Sequence, residues 1–254
     1  MTTTTEPQPR IATLDIVRGV AVMGILAMNV IAFAMPMEAY MNPAAYGLET
    51  TADFIAWAFS FVFVDGKMRG LFSFLFGASM LLVTERAGAT GRSAASVHFR
   101  RMAWLAIFGL IHYYLVWFGD ILFLYAVVGM VAWLFRDKDG EALIKWAFWL
   151  ILAQFALMAL FAWSFHTLSQ AAAAPNADPE VVKQLTAMKA GFGVPSAATL
   201  AQDLALYRGG YADIAIDRFT VQGTTPFMNL FLLGSETLGY MLLGMAALKS
   251  GFLT

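Results

Sequence analysis

Residues 14–30, LDIVRGVAVMGILAMNV, place an Asp-Arg pair at the start of an apolar helix and a single Asn near its far end. Ionisable and amide groups inside a bilayer-length segment cost free energy, so each marks a candidate functional site by default. The pattern recurs downstream, where Lys67, Arg69, His112 and Asp120 stand beside long apolar runs. Of the 254 residues, 60% are hydrophobic and only 13% charged. The mean hydropathy of +0.68 lies outside the usual range of soluble domains. A helix needs about 20 residues to cross a hydrocarbon core of roughly 30 Å, and several apolar blocks approach or exceed that length. The implied fold class is all-α: a polytopic transmembrane helical bundle of about six spans plus one interfacial or re-entrant helix.

Composition also excludes functions. A net charge of −1 offers no basic surface, so no nucleic-acid partner is expected. The chain has no cysteine, which removes thiolate catalysis, disulfides and thiol-ligated metal. The three histidines, His98, His112 and His166, are too scattered to suggest a metal site. The 15 methionines read as packing filler between helices.

Charge asymmetry sets an expected topology. Residues 1–13 read as a polar, disordered cytoplasmic tail and 14–254 as the transmembrane domain. Ala32-Phe33-Ala34 imitates a signal-cleavage site, but the span is long for an h-region and Glu6 and Asp15 precede it, so helix one (14–35) is read as retained. Residues 36–53 carry Glu38, Glu49 and Asp53 without Lys or Arg, whereas 86–101 carry Arg86, Arg92, Arg100 and Arg101. The positive-inside rule puts the first loop outside and the second in the cytoplasm. Only an odd number of crossings connects them. Phe54–Val64 is therefore read as the interfacial or re-entrant helix and Leu71–Val83 as the span. Trp104–Trp117, Ile121–Phe135, Ile144–His166 and Pro226–Leu248 complete six spans with both termini cytoplasmic. All seven tryptophans then fall near an interface, where indole rings prefer to sit. Residues 169–225 form a polar external segment with short helices of its own, one starting at Asp178-Pro179-Glu180 and stopping at Gly191.

The candidate residues each admit a structural and a functional reading. Arg18 and Asn29 are 11 positions apart, three turns plus about 20°, so they share a helix face about 16.5 Å apart in depth. Asp15, one turn before Arg18, can neutralise it. The three form an anchor and a packing amide, or a polar track into the membrane. A lone intramembrane His112 is more often a packing group than a catalyst. Asp120, at the turn opening the next helix, can cap free N–H groups or hold the imidazole in one tautomer for proton transfer. Lys67 and Arg69 meet lipid phosphate or an anionic substrate group. Their neighbours Gly66 and Gly70, with Ser73 and Gly77, form a small-residue stripe for helix contact. Arg208 and Arg218 admit the same two readings, with solvated pairs favoured because Asp213 and Asp217 are available to pair Arg218.

Together these residues resemble the YeiB-type family of uncharacterised bacterial membrane proteins. The matching pieces are Leu14-Asp15, Arg18-Gly19, Met28-Asn29, Arg69-Gly70-Leu71-Phe72-Ser73, Leu75-Phe76-Gly77, Arg100-Arg101, His112, Trp117, Gly119-Asp120-Ile121-Leu122 and Tyr125-Ala126. Tyr207, Gly210 and Tyr211 extend the series. That family in turn looks like a distant relative of transmembrane acyltransferases, which move acyl groups from cytoplasmic acyl-CoA to extracytoplasmic sugars. The surface-sugar O-acyltransferases begin their first helix with a similar Leu-Asp-x-x-Arg-Gly and have a His where Asn29 stands. Heparan-type N-acetyltransferases have an Asn there and a His soon after it, whereas Pro36 to Tyr46 here contains none. The acid–base group would then be His112. Family members normally continue with further helices, so the resemblance implies a C-terminally short chain ending at Thr254.

The resemblance implies a multi-pass protein of the bacterial cytoplasmic membrane, in contact with the lipid bilayer and moving an acyl group from acyl-CoA to a surface glycan or small molecule. Asp15 and Arg18 would guide the donor, with Lys67 and Arg69 as further substrate-binding residues. His112 and Asp120 would perform acid–base work, and Asn29 would hydrogen-bond the reacting carbonyl. The rivals are a transporter or exporter, and a non-catalytic membrane subunit.

Overall fold

A computed structural model describes residues 12–191 and 194–253. Most of the polar N-terminal tail, residues 1–11, lies outside the described residues, and helix starts at its twelfth. Among the described residues all regular structure is helical. In chain order the α-helices are α1 (Ala12–Ala34), α2 (Glu38–Met41), α3 (Thr51–Phe63), α4 (Lys67–Ala89), α5 (Ala94–Ile111), α6 (Leu122–Ala132), α7 (Gly140–Ala172), α8 (Pro179–Gly191), α9 (Ala197–Tyr207), α10 (Tyr211–Thr220) and α11 (Thr225–Lys249).

Local chemistry explains the boundaries. Thr50 and Asp53 form a reciprocal capping box that opens α3: the Asp53 N–H donates to Thr50 Oγ1 at 3.3 Å and the Thr50 N–H to Asp53 Oδ2 at 2.7 Å. Asp139 caps α7 by accepting from the Ala142 N–H at 2.7 Å. The turn between α3 and α4 needs φ +68° at Gly66, which only glycine adopts at no steric cost. Gly66 therefore belongs to this turn and not to the packing stripe. Asp178 and Gly191 bound α8 as the sequence pattern requires, with Asp178 Oδ1 accepting from the Glu180 N–H at 2.8 Å.

Four segments are long and apolar enough to cross a membrane: 13–34, 51–89, 140–172 and 225–249. They mark a membrane protein. The 51–89 segment is interrupted at Gly66, and α3 alone, 13 residues and about 20 Å long, falls short of the bilayer core. The two remaining spans of the six-span reading are shorter than that reading requires or differently placed. α5 has 18 residues and starts ten residues before Trp104, so Arg100 and Arg101 lie within it, whereas α6 with the turn that continues it forms an apolar helix Leu122–Phe135, close to the expected bounds but short for a crossing.

The core gathers around α11. Leu242, Met241 and Met245 pack with Ala78 and Leu81 of α4, Tyr125 and Val128 of α6, and Leu143 and Ala147 of α7. Between α4 and α11 the backbones touch: a Cβ on Gly77 would lie 2.0 Å from the Met241 carbonyl oxygen, and one on Gly244 1.8 Å from that of Phe74. Polar bonds tie α7 to α11, with Gln154 Nε2 donating to Leu232 O at 2.6 Å and Ser235 Oγ to Leu150 O at 2.8 Å. α1 lies at the edge of this bundle against α4, antiparallel to it: Arg18 reaches Ser79, and Gly24 packs on Met68.

Candidate functional site

Two cavities follow the α1–α4 seam. The larger, about 720 Å³, is lined by Asn29 of α1, Glu38 and Tyr40 of α2, Asp65 and Arg69, Trp117 to Ile121, Asp203 and Tyr207 of α9 with Arg208 just after it, and Asn229 of α11. The smaller, about 500 Å³, is lined by Leu14, Asp15 and Arg18 of α1, Phe72, Phe76, Ser79, Leu82, Val83 and Arg86 of α4, and Arg101 of α5. On α4 the lining of one ends at Arg69 and that of the other begins at Phe72, a rise of about 4.5 Å. One helical turn separates them.

Arg18 and Asn29 thus share a face, as their spacing requires, yet serve different cavities. Arg18 donates to Asp15 Oδ1 at 3.2 Å and makes a short hydrogen bond to the Ser79 hydroxyl. Arg69 lines the large cavity, as Asn29 does, and donates from Nη2 to Glu236 Oε2 of α11 at 3.0 Å, while its buried Nη1 has no hydrogen-bond partner among the described residues. Lys67 is exposed and lines neither cavity.

α5 ends in a π-helical turn, residues 112–116, which presents His112 to the loop that follows. Its Nδ1 lies 3.0 Å from Asp120 Oδ1, and Asp120 Oδ2 accepts from the Phe123 N–H at 3.0 Å. The carboxylate, 2% exposed, thereby caps α6 and fixes the imidazole at once. Asp120 lines the large cavity; His112 stands behind it, its ring edge-on to Trp117, which lines the cavity too. The Trp117 indole nitrogen is buried without a hydrogen-bond partner among the described residues.

Sequence reading missed the far wall. Tyr40 donates to Asp65 Oδ1 at 2.5 Å, and burial, then that bond to a carboxylate, push the phenol well above its ordinary range. Asp203 of α9 faces Glu38 of α2; burial, followed by the charge of Glu38 and a hydrogen bond to it, pushes Asp203 up to about 6. Arg208 reaches the Tyr46 hydroxyl at 3.4 Å. None of these pairs has a local sequence signal, because the partners lie 25 residues apart for Tyr40 and Asp65, 165 for Glu38 and Asp203 and 162 for Arg208 and Tyr46. Glu236 did carry one. It is an ionisable residue inside an apolar 25-residue helix, the same criterion that singled out Arg18.

Arg218 is a correction. It is 5% exposed, not solvated, and its Nε and Nη1 have no hydrogen-bond partner among the described residues. Asp217 accepts instead from Gln222 Nε2 at 2.7 Å. The outer helices are held to the π turn by tyrosines: Tyr113 donates to Gln222 O, Tyr114 to Gly223 O and Tyr211 to Leu115 O. Among the described residues no group of acidic or histidine side chains is arranged to hold a metal ion.

The chain has relatives among known bacterial proteins. It is similar to the YeiB proteins. It is 42% identical over 132 residues to the uncharacterised protein YeiB of Escherichia coli, covering 52% of this chain and 32% of that one. It is 39% identical over 145 residues to the uncharacterised protein YxaH of Bacillus subtilis, covering 54% and 35%. An uncharacterised 39.9 kDa protein of Bacillus acidopullulyticus is 34% identical over 122 residues, covering 48% and 33%. These similarities support the YeiB-type family, and the chain spans about a third of the length of the curated relatives it matches. No protein-family model and no solved structure matches. The acyltransferase likeness rests on the sequence motifs alone.

Proposed function

We propose that this is a multi-pass protein of the bacterial cytoplasmic membrane, termini inside, that transfers an acyl group from a cytoplasmic donor to an extracytoplasmic acceptor. What supports the reading is the pair of cavities on one helix seam, one turn apart, with Asp120 in the wall of the larger and His112 hydrogen-bonded behind it. The smaller cavity lies beside the Arg-rich α4–α5 loop, the cytoplasmic side by the positive-inside rule, and the larger faces the opposite side.

In this reading Arg18, neutralised in part by Asp15, receives the donor. Asp120 holds the Nδ1–H of His112, leaving Nε2 to take a proton from an acceptor hydroxyl or amine. The acceptor oxygen or nitrogen bonds to the acyl carbon, the C–S bond of an acyl-CoA thioester breaks, and the thiolate leaves and is protonated on the donor side. Asn29 donates to the carbonyl oxygen as charge develops there. Arg69, fixed by Glu236, faces an anionic group of the acceptor.

The test uses purified protein in liposomes with labelled acyl-CoA outside and candidate sugars inside. His112→Ala is expected to lower transfer by about 10²- to 10⁴-fold and Asn29→Ala by about 10²- to 10³-fold. Transfer that survives both changes refutes the assignment. The thin partition between the cavities also favours a transporter, which gradient-driven uptake without a covalent product would establish.

A further inference from the structure

Three arginines from three helices line the smaller cavity: Arg18 of α1, Arg86 of α4 and Arg101 of α5. The one carboxylate in its lining, Asp15, is already paired to Arg18. The side chains of Arg86 and Arg101 make no hydrogen bond or ion pair with the described residues, so two cations face the cavity uncompensated. Below them the wall is apolar, formed by Leu14, Phe72, Phe76, Leu82 and Val83. Planar guanidinium groups match phosphate oxygens two at a time, and convergent arginines relieve their mutual repulsion by sharing an anion.

From this geometry we infer that the cavity is a phosphate site for an amphiphile, with Arg86 and Arg101 holding the phosphate and Phe72 and Phe76 receiving the apolar part of the same molecule. The positive-inside tendency alone does not explain the arrangement. Arg100 and Arg92 belong to the same basic stretch, yet neither lines the cavity, whereas Arg101, adjacent to Arg100 on α5, does. The inference deepens the transfer reading by naming what the donor side recognises, and rests on it only for the fate of the bound molecule. Two sources supply this chemistry: a soluble phosphorylated thioester such as acyl-CoA, and the headgroup and chain of an anionic phospholipid.

Binding, not transfer, tests it. Protein in nanodiscs of phosphatidylcholine would be titrated with labelled palmitoyl-CoA, and in a second arm with phosphatidylglycerol followed by native mass spectrometry. Arg86→Gln with Arg101→Gln is expected to weaken one of the two probes at least tenfold, whereas Arg100→Gln leaves it within twofold. Loss confined to the thioester assigns the site to a soluble donor; loss confined to the lipid assigns it to a headgroup. If both probes bind equally to wild type and double variant, or Arg100→Gln weakens them as much, the site does not exist. Because transfer is not read, palmitoyl-CoA binding here together with no transfer in the liposome assay would sink the transfer reading and leave this one standing.

Discussion

Replacing Gly244 by alanine should part the two central helices. An ideal Cβ there lies 1.8 Å from the Phe74 carbonyl oxygen and 2.7 Å from its carbon, where contacts under 3.0 Å do not occur. Both obstructing atoms are backbone, so no rotamer change relieves them, and α4 and α11 must separate by more than an ångström. Overpacking costs about 1–3 kcal/mol when side chains can adjust, so the upper end, about 3 kcal/mol, is expected here. That corresponds to roughly a hundredfold change in the folded ratio. Gly77→Ala, opposed by the Met241 carbonyl at 2.0 Å, should cost a similar amount. The double variant should cost less than the sum, because the first substitution has already opened the seam. Gly88 on α4, with nothing within 4 Å of its Cβ position, is the control, and its alanine variant should be neutral or stabilised by up to about 1 kcal/mol. Reversible unfolding in mixed SDS micelles, followed by tryptophan fluorescence, measures all four. If Gly244→Ala and Gly88→Ala agree within about 0.5 kcal/mol, the close backbone approach is wrong.

Three further outcomes follow from the site. The Asp203 carboxyl, raised from 3.8 to about 6, binds its proton more tightly folded than unfolded, so its contribution to stability is full below pH 4 and is lost as pH rises through 6. Asp203→Asn should remove that decline, read as the difference between the two stability–pH curves; parallel curves would refute the carboxyl pairing. Glu236→Leu strands the Arg69 guanidinium and should destabilise by about 2 kcal/mol or more, a cost that Arg69→Met in the same chain largely reverses in a double-mutant cycle. Asp120→Ala removes both the α6 cap and the imidazole's partner, lowering stability by about 1–2 kcal/mol; Asp120→Asn, which retains an acceptor for the Phe123 N–H, should recover most of it in the same unfolding assay.

Much of the site could be read before folding, for a specific reason. Buried polar groups in apolar helices are conspicuous against their surroundings, so Asp15, Arg18, Asn29, Arg69, His112 and Asp120 stood out, and all but His112 and Lys67 of the chosen residues line a cavity. Glu236 satisfied the same criterion and was overlooked. The far wall was illegible. Glu38, Tyr40 and Asp203 lie in polar segments where such residues are ordinary, and Arg208 and Arg218 looked solvated for the same reason. The burial of Arg218 comes from α10 packing on the π turn, which no local pattern announces.

Helix content, the apolar blocks, the α8 cap and the shared face of Arg18 and Asn29 were properties of the sequence itself, because they depend on periodicity, composition and contacts a few residues apart. Chain folding alone decided that this face opens into two cavities, that Arg69 meets Glu236 across 167 positions, and that Arg86 and Arg101 converge with Arg18. Those arrangements hinge on how closely α1, α4, α5 and α11 approach, and that distance is set by which small residues happen to face one another in space.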